Sequence, residues 1–421
     1  MRKPTDPDPT HEPDIAPLEG PYWKRFIEVT VLCFTIGATG FGGPAVLIAM
    51  MEDEFVQRRK WISRQYFLDL VGATNLIPGP NSVEMSMHIG KIRAGMPGLF
   101  AAGIAFVVPA VAITLALAYM YARFGSLPAV APFLYGVKPV IVAVIASAVL
   151  RLGKPAVKNW HLALIGAVVV VATLLGLNEV IAMLGGGILG MLWLQLVVNR
   201  TDRKLDAGRI TSWIPWVMPT LAVGGVAAAA EKVPVTLSAI WWFFLKIGAV
   251  LYGSGYVLIA FIQRGIVDDL GWLTQPQVLD AVAAGQITPG PFTSTAAFIG
   301  YYLMGVPGGI VAAAGIFTPS FILAYLLNPL VPRLRKSTWT AAFLDAVNVA
   351  SVGLMAAVTV ELALATLLVL PLGPEVWMKW PTWVIALLAG FGAIRLRISP
   401  TWLVVAGSLV GWLLGRFTGY A

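Results

Sequence analysis

Apolar stretches and short polar connections alternate along almost the whole chain. Thirteen apolar stretches fall at about residues 26–51, 66–92, 97–121, 129–150, 160–178, 180–198, 213–230, 237–262, 277–302, 306–330, 338–360, 381–394 and 398–415. A helix crosses a ~30 Å hydrocarbon core in about 20 predominantly apolar residues, so the pattern predicts an all-α polytopic membrane protein. The polar run NRTDRKLDAGR at 199–209 divides the chain near its middle.

Some of these stretches are interrupted in a way that a plain crossing does not require. In 66–92 the motif LIPGP at 76–80 separates arms over 66–77 and 81–92. At 1.5 Å per residue each arm is about 18 Å long and reaches only the middle of the bilayer. Pro78 disfavours helix at Ile77, Gly79 accepts a positive φ, and Pro80 suits the first position of a new helix. GFGGP at 40–44 offers the same break within 26–51, with Pro44 opening the second arm. An open turn at membrane depth is tolerated only where it is buried in protein or lines a cavity.

The breaks recur. LIPGP returns as QITPGP at 286–291, and Pro78 and Pro289 are 211 residues apart, as are Trp61 and Trp272, Gly37 and Gly248, Gly42 and Gly253, and Asp69 and Asp280. After a one-residue gap the spacing becomes 210, pairing Gly90 with Gly300, Gly95 with Gly305, Pro97 with Pro307, and Pro109 with Pro319. A register held this long marks a tandem duplication. The expected organisation is a disordered cytoplasmic tail over 1–22, one repeat over 23–198, a linker with one extra transmembrane segment over 199–236, and a second repeat over 237–421.

Charge supplies the orientation. The loop after the first stretch carries Arg58, Arg59, Lys60 and Arg64, whereas its counterpart has Arg264 against Asp268 and Asp269; further on, Arg123 stands alone opposite Arg333, Arg335 and Lys336. Basic loops stay cytoplasmic, so matching loops of opposite bias predict inverted repeats. If 26–51, 66–92, 237–262 and 277–302 are re-entrant hairpins, 22 Lys and Arg fall on the N-terminal side and 5 on the other; with thirteen full crossings the best division is 19 to 8. The hairpins are the preferred reading.

Composition agrees with a bilayer as solvent: of 421 residues, 58% are hydrophobic and 12% charged. The net charge of +8 lies in loops and needs no nucleic acid to explain it. One cysteine, Cys33, excludes an internal disulfide, and histidines at 11, 88 and 161 offer no metal-ligand spacing. No cofactor motif is present, and the expectation is a protein without catalysis or metal.

Helix N-termini at the breaks present N–H groups and a positive dipole end, so the cavity they face is expected to hold an anion. The candidate seat comprises Gly42, Gly43, Pro78, Gly79, Pro80, Asn81 and Ser82 from the first half, and Gly253, Ser254, Pro289, Gly290, Pro291, Thr293 and Ser294 from the second, with Thr295 adding a donor. Glu84, His88, Lys138 and Lys246 are candidates for coupling or charge balance. Glu84 is read either as a proton carrier or as the ion-pair partner of Lys138 or Lys246, and Lys138-Pro139 as a helix break. His88 is read first as a hydrogen-bonded side chain, and Asp69 and Asp280 as complements to helix dipoles. Inverted repeats whose broken helices meet near the midplane are the architecture of alternating-access transporters.

FGGP at 41–44, the basic run ending in Trp61, PGP at 78–80, GKIRAGMPG at 90–98 and Pro109, all echoed in the second half, resemble the chromate ion transporter family in its long, two-domain form. The resemblance spans about residues 24–415. It implies a bacterial inner-membrane protein that exports chromate, driven by the membrane potential or protons, with a homodimer possible. The chain departs from the family pattern at Val46, Leu47 and Ile48, at Glu84, and where LYGSG replaces GFGGP in the second half. Sulfate or another oxyanion as cargo remains an alternative, as do a channel and an intramembrane lipid-phosphate hydrolase. The last of these wants a cluster of carboxylate, histidine or serine with arginine, and the second half lacks counterparts of Glu84 and His88.

Overall fold

The computed structural model describes residues 15–75, 77–125, 127, 130–198, 233–252, 255–327, 337–367 and 380–418. The expected tail up to residue 14, the extra segment at 213–230 and the site candidates Gly253 and Ser254 lie outside the described residues, as does the side chain of Asp69.

Among the described residues the chain is helical, with one isolated bridge between Ile15 and Ile62 in place of any strand. The first half forms α1 (Tyr22–Thr39), α2 (Pro44–Glu52), α3 (Arg64–Thr74), α4 (Asn81–Phe124), α5 (Ala131–Ala156), α6 (Trp160–Leu174) and α7 (Glu179–Trp193). The second forms α8 (Leu237–Val250), α9 (Val257–Ile262), α10 (Gln275–Ile287), α11 (Thr295–Leu327), α12 (Thr338–Leu367), α13 (Trp380–Ile394) and α14 (Pro400–Thr418). Asn81–Phe124, Ala131–Ala156, Glu179–Leu196, Phe292–Leu326 and Thr338–Leu367 are long and apolar enough to cross a membrane. At 15 residues each, α6 and α13 reach about 22 Å, short of a ~30 Å core.

The first half folds as two hairpins that return to the side they start from. The π-helical turn Asp53–Arg58 prolongs α2, and beyond it Arg59 forms an ion pair with Glu28 near the start of α1. The Ala16 N–H donates to the Trp61 carbonyl, 3.0 Å, so the two ends of this segment lie together. The next segment behaves alike. It starts beyond Trp61, and at its far end Arg93 lies 4.3 Å from the Trp61 ring centroid and 3.6 Å from Glu28. Ala94 and Gly95 then leave helical geometry, Gly95 at φ +65°, and the rest of α4 crosses to the far side.

The second half repeats the two hairpins, the π-helical turn, here Gln263–Asp269, and the kink, with other side chains closing the hairpins. Trp272 Nε1 donates to the Val233 carbonyl, closing the hairpin of α8 and α9, and Gln277 donates to Tyr302, closing that of α10 and the start of α11. Met304 and Gly305 reproduce the kink, Gly305 at φ +63°. Gly37 of α1 is set against the Phe106 carbonyl of α4, and Gly248 of α8 against that of Ile316 in α11; a Cβ would stand 2.1 and 2.2 Å from those oxygens. Only glycine permits either approach.

The long helices α4 and α11 lie against each other in opposite directions. Phe100 stacks on Phe321 near the start of the α4 crossing, and Tyr121 at its end meets Phe298 and Tyr302 of α11. Tyr121 also donates to Asp280 of α10, 2.7 Å. The α4 crossing therefore runs from the face where the first-half hairpins open to the face where the second-half hairpins open. Around this pair, α12 packs on α5, α6 and α7, while α13 and α14 pack on α5.

Candidate functional site

The four breaks meet in the interior, and the two halves bond across them. Gly79, at φ +141° between Pro78 and Pro80, donates its N–H to the Leu251 carbonyl at the end of α8, 2.7 Å. Gly290, at φ +87° between Pro289 and Pro291, donates to the Gly40 carbonyl just past α1, 2.9 Å. Each turn is thus held by the first hairpin of the opposite half. The Tyr256 ring stacks on Phe292 at 5.3 Å, and its hydroxyl lies 3.4 Å from where a Cβ on Gly43 would stand, drawing three breaks together.

This corrects one expectation. The N–H groups of the two central glycines are not free for an anion, because the opposite half takes them up. What the breaks do present is helix starts. The helices α3, α6, α7 and α8 are capped by Ser63, Asn159, Asn178 and Thr236, and α10 by the reciprocal pair Thr274 and Gln277. The starts at the breaks, those of α2, α4, α9 and the 3-10 turn Phe292–Ser294, carry no side-chain cap, a condition they share with α1 and α5. First-turn N–H groups have no intrahelical acceptor, so uncapped starts keep donors for water or a ligand. Pro44 opens α2 as expected, whereas Pro80 is the residue before α4 and Asn81 its first.

The side chains at the two PGP turns differ. At the first, Glu84 and Ser320 of α11 are fully buried, and an added Cβ on Gly79 would lie 2.5 Å from Glu84 Oε1 and 2.0 Å from Ser320 Oγ. Ser320 is near enough to act on the carboxyl electrostatically, yet neither makes a hydrogen bond of acceptable geometry. Ser82 is also buried, in the first turn of α4, and His88 lies buried one turn beyond Glu84. One N–H of the Asn81 amide donates to Asn75, which leaves its second N–H and its carbonyl for a ligand. At the second turn hydroxyls prevail: Thr114 of α4 donates toward Ser294, 3.2 Å, and Thr288, 3.4 Å. Thr295 donates back to the Phe292 carbonyl, and Thr293 Oγ1 is buried without a partner.

The lysines are placed differently from expectation. Lys138 is close enough to act electrostatically on Asp280 and Lys246 on Glu179, and among the described residues neither forms an ion pair with Glu84. Pro139 does not break the helix at Lys138 either: α5 runs through it, because the residues on both sides of it are packed in the core. Asp280 accepts from Tyr121, so it ties α10 to α4 instead of complementing a dipole.

Two cavities approach the interior from opposite ends of α5. One of about 200 Å³ reaches from Lys158 and Asp345, paired at 2.6 Å, down to Asn75 and Val257 beside the first PGP turn and the third break. The other, of about 250 Å³, is lined by Tyr135, Lys138, Gln275 and Thr382. Three further groups near the breaks had no sequence signal beyond loop charge or a lone polar residue. Arg151 acts electrostatically on the Tyr256 hydroxyl. Ser399, in the turn before α14, has its Cβ 4.0 Å from where a Cβ on Gly42 would stand, at the first break. Thr401 donates to the Gln286 carbonyl, 2.8 Å.

Fold and site together define a polytopic membrane protein whose interior is built from crossed, broken helices. The chain belongs to the chromate transporter family, which matches it over residues 27–191 and 238–412, two stretches that begin 211 residues apart. It is 31% identical over 378 residues to the chromate transport protein of Cupriavidus metallidurans, covering 88% of this chain and 90% of that one. It is 30% identical over 390 residues to the probable chromate transport protein of Synechococcus elongatus, covering 91% and 94%. The chromate transport protein of Pseudomonas aeruginosa is 28% identical over 418 residues, 97% of this chain and 95% of that one. No solved structure matches.

Proposed function

We propose that the protein is a secondary active transporter that carries chromate, or a tetrahedral oxyanion like it, out of the cytoplasm across a bacterial inner membrane by alternating access, without catalysis. The observation that carries the reading is the reciprocal bonding of the breaks: Gly79 to Leu251 and Gly290 to Gly40. Two inverted repeats that hold each other's turns can rock about that junction while exposing it to either side. The return of the first-half hairpins to one face, of the second-half hairpins to the other, and the opposed course of α4 and α11 support the inversion. The cavities at the two ends of α5 are its vestibules.

The anion seat is the set of uncapped starts with Gly42, Gly43, Ser82, Thr293 and Ser294. A dianion there meets four positive dipole ends, and Arg151, close to the Tyr256 hydroxyl, adds positive charge. Hydroxyls and amides read a tetrahedral dianion by shape, so sulfate is the expected competitor. The test is uptake of labelled chromate into inverted membrane vesicles. Saturable uptake, reduced by sulfate, supports the reading; uptake linear in chromate at all concentrations makes the protein a channel, and none at all removes the reading.

A further inference from the structure

Among the buried groups that anion binding leaves without a task, Glu84 and Ser320 stand out because they face each other across one glycine. Both are fully buried, among the described residues neither carboxylate oxygen nor the hydroxyl has a hydrogen-bond partner of acceptable geometry, and both press on Gly79 at the tip of the first-half hairpin. Glu84 belongs to that hairpin, and Ser320 to α11 of the other half. The titratable group that faces Glu84 from outside α4 is Tyr252, from the break after α8; on α4 itself His88 lies one turn on and Lys91 beyond it. Among the described residues no lysine or arginine lies within ion-pair distance of Glu84. A bare carboxylate in such a place has lost its hydration and gained no cation, whereas the neutral acid is tolerated and can donate to a neighbouring oxygen.

The duplicated turn acts as an internal control. At the position of Ser320 the first half has Ala110, and Ala110 Cβ lies 2.8 Å from a Cβ on Gly290, the same contact without the hydroxyl. At the position of Glu84 the second half has Ser294 or Thr295. The backbone is duplicated and the acid is not.

We propose that Glu84, Ser320 and the Gly79 turn form a proton-binding site, one per chain, that couples transport to a pH gradient. This rests on the transport reading above. With the proton bound, the hairpin tip docks against α11. With the proton lost, the charged carboxylate cannot stay in that contact, so the tip withdraws toward water and the halves change their relation. The second turn, lined by Thr114, Thr288 and Ser294, carries hydroxyls where the first carries the acid.

The experiment uses the full chain in proteoliposomes and reads two rates on one preparation. These are exchange of labelled chromate with no pH gradient, and chromate accumulation driven by a pH gradient with the membrane potential clamped. Wild type is expected to accumulate several-fold above its exchange level. In Glu84→Gln the ratio of driven accumulation to exchange falls to the no-gradient value, Ser320→Ala lowers it in part, and the exposed Glu19→Gln keeps it. A wild-type ratio in Glu84→Gln overturns the proposal, as does a sodium gradient replacing the pH gradient in wild type. Loss of exchange in both Glu84→Gln and Glu84→Asp also overturns it, marking Glu84 as part of the anion seat. Wild-type protein that exchanges neither chromate nor sulfate instead removes the functional reading itself, so the two failures are told apart.

Discussion

Replacing Gly79 by alanine adds one methyl group where the backbone and the packing both exclude it. The backbone term comes from φ +141°, a region that residues with a Cβ avoid at a cost of roughly 1–3 kcal/mol. The packing term comes from oxygens 2.0 and 2.5 Å from the new carbon, which must shift in a filled interior, an overpacking cost of about 1–3 kcal/mol. The expected destabilisation is therefore about 2–6 kcal/mol, with loss of transport. Gly95→Ala is the natural control. Its φ is also positive, +65°, but nothing lies within 4 Å of the added carbon, so only a left-handed term of about 1–2 kcal/mol applies. Removing the Ser320 hydroxyl changes the nearest α11 atom from Oγ at 2.0 Å to Cβ at 3.1 Å, so Gly79→Ala/Ser320→Ala should recover about 1 kcal/mol or more of the packing term. Thermal unfolding in detergent, followed through the 15 tryptophans, ranks the four proteins. Gly79→Ala unfolding together with Gly95→Ala, or no recovery in the double variant, would refute the packing described for this turn.

Single cysteines at Gln57 and Asp269, in a Cys33→Ala background, should react with an impermeant thiol reagent from opposite faces of the membrane; reaction from one face removes the inverted arrangement. Gly37→Ala and Gly248→Ala each drive a methyl into a backbone carbonyl and should each cost about 1–3 kcal/mol or more, read as a lower unfolding midpoint, since a carbonyl cannot rotate away as a side chain can. Thr114→Val should raise the chromate concentration for half-maximal transport more than it lowers thermal stability, because it strips hydroxyl contacts from the second turn while keeping shape. Arg93→Ala removes a guanidinium held over Trp61 and beside Glu28 and should cost about 1–3 kcal/mol in unfolding; a neutral result would mean the two first-half hairpins are not joined there.

The breaks were legible in the sequence because proline and glycine act through their own backbone, with little help from neighbours. Gly79 and Gly290 adopt positive φ where PGP asks for it, whereas the kinks at Gly95 and Gly305 were visible in the sequence only as a repeated pair of glycines. Which carbonyl each turn would engage was not legible, since the partners, Leu251 and Gly40, lie in the other half and carry no side-chain signature. The bond from Asn81 to Asn75, six residues back, was not legible for a related reason: it forms only once the turn between them has folded. Whether Lys138 or Lys246 would pair with Glu84 was not legible, because hydropathy places a charge along a helix and not around it. Ser320 gave one weak signal, being a serine where its counterpart is Ala110, but a lone hydroxyl in an apolar helix means nothing until Gly79 and Glu84 are beside it.

The exchange of hydrogen bonds between the halves also sets a timetable for biogenesis. Gly79 emerges from the ribosome 172 residues before Leu251, and Gly40 emerges 250 residues before Gly290. At about 5–20 residues per second these intervals last roughly ten to fifty seconds. Throughout that time the first two hairpins sit at the membrane with their tips unmatched, an N–H in one and a carbonyl in the other awaiting chain that does not yet exist. Such groups cannot be left facing lipid. The N-terminal half must therefore wait beside water, or under the cover of the insertion machinery, until the second half arrives to close both tips at once.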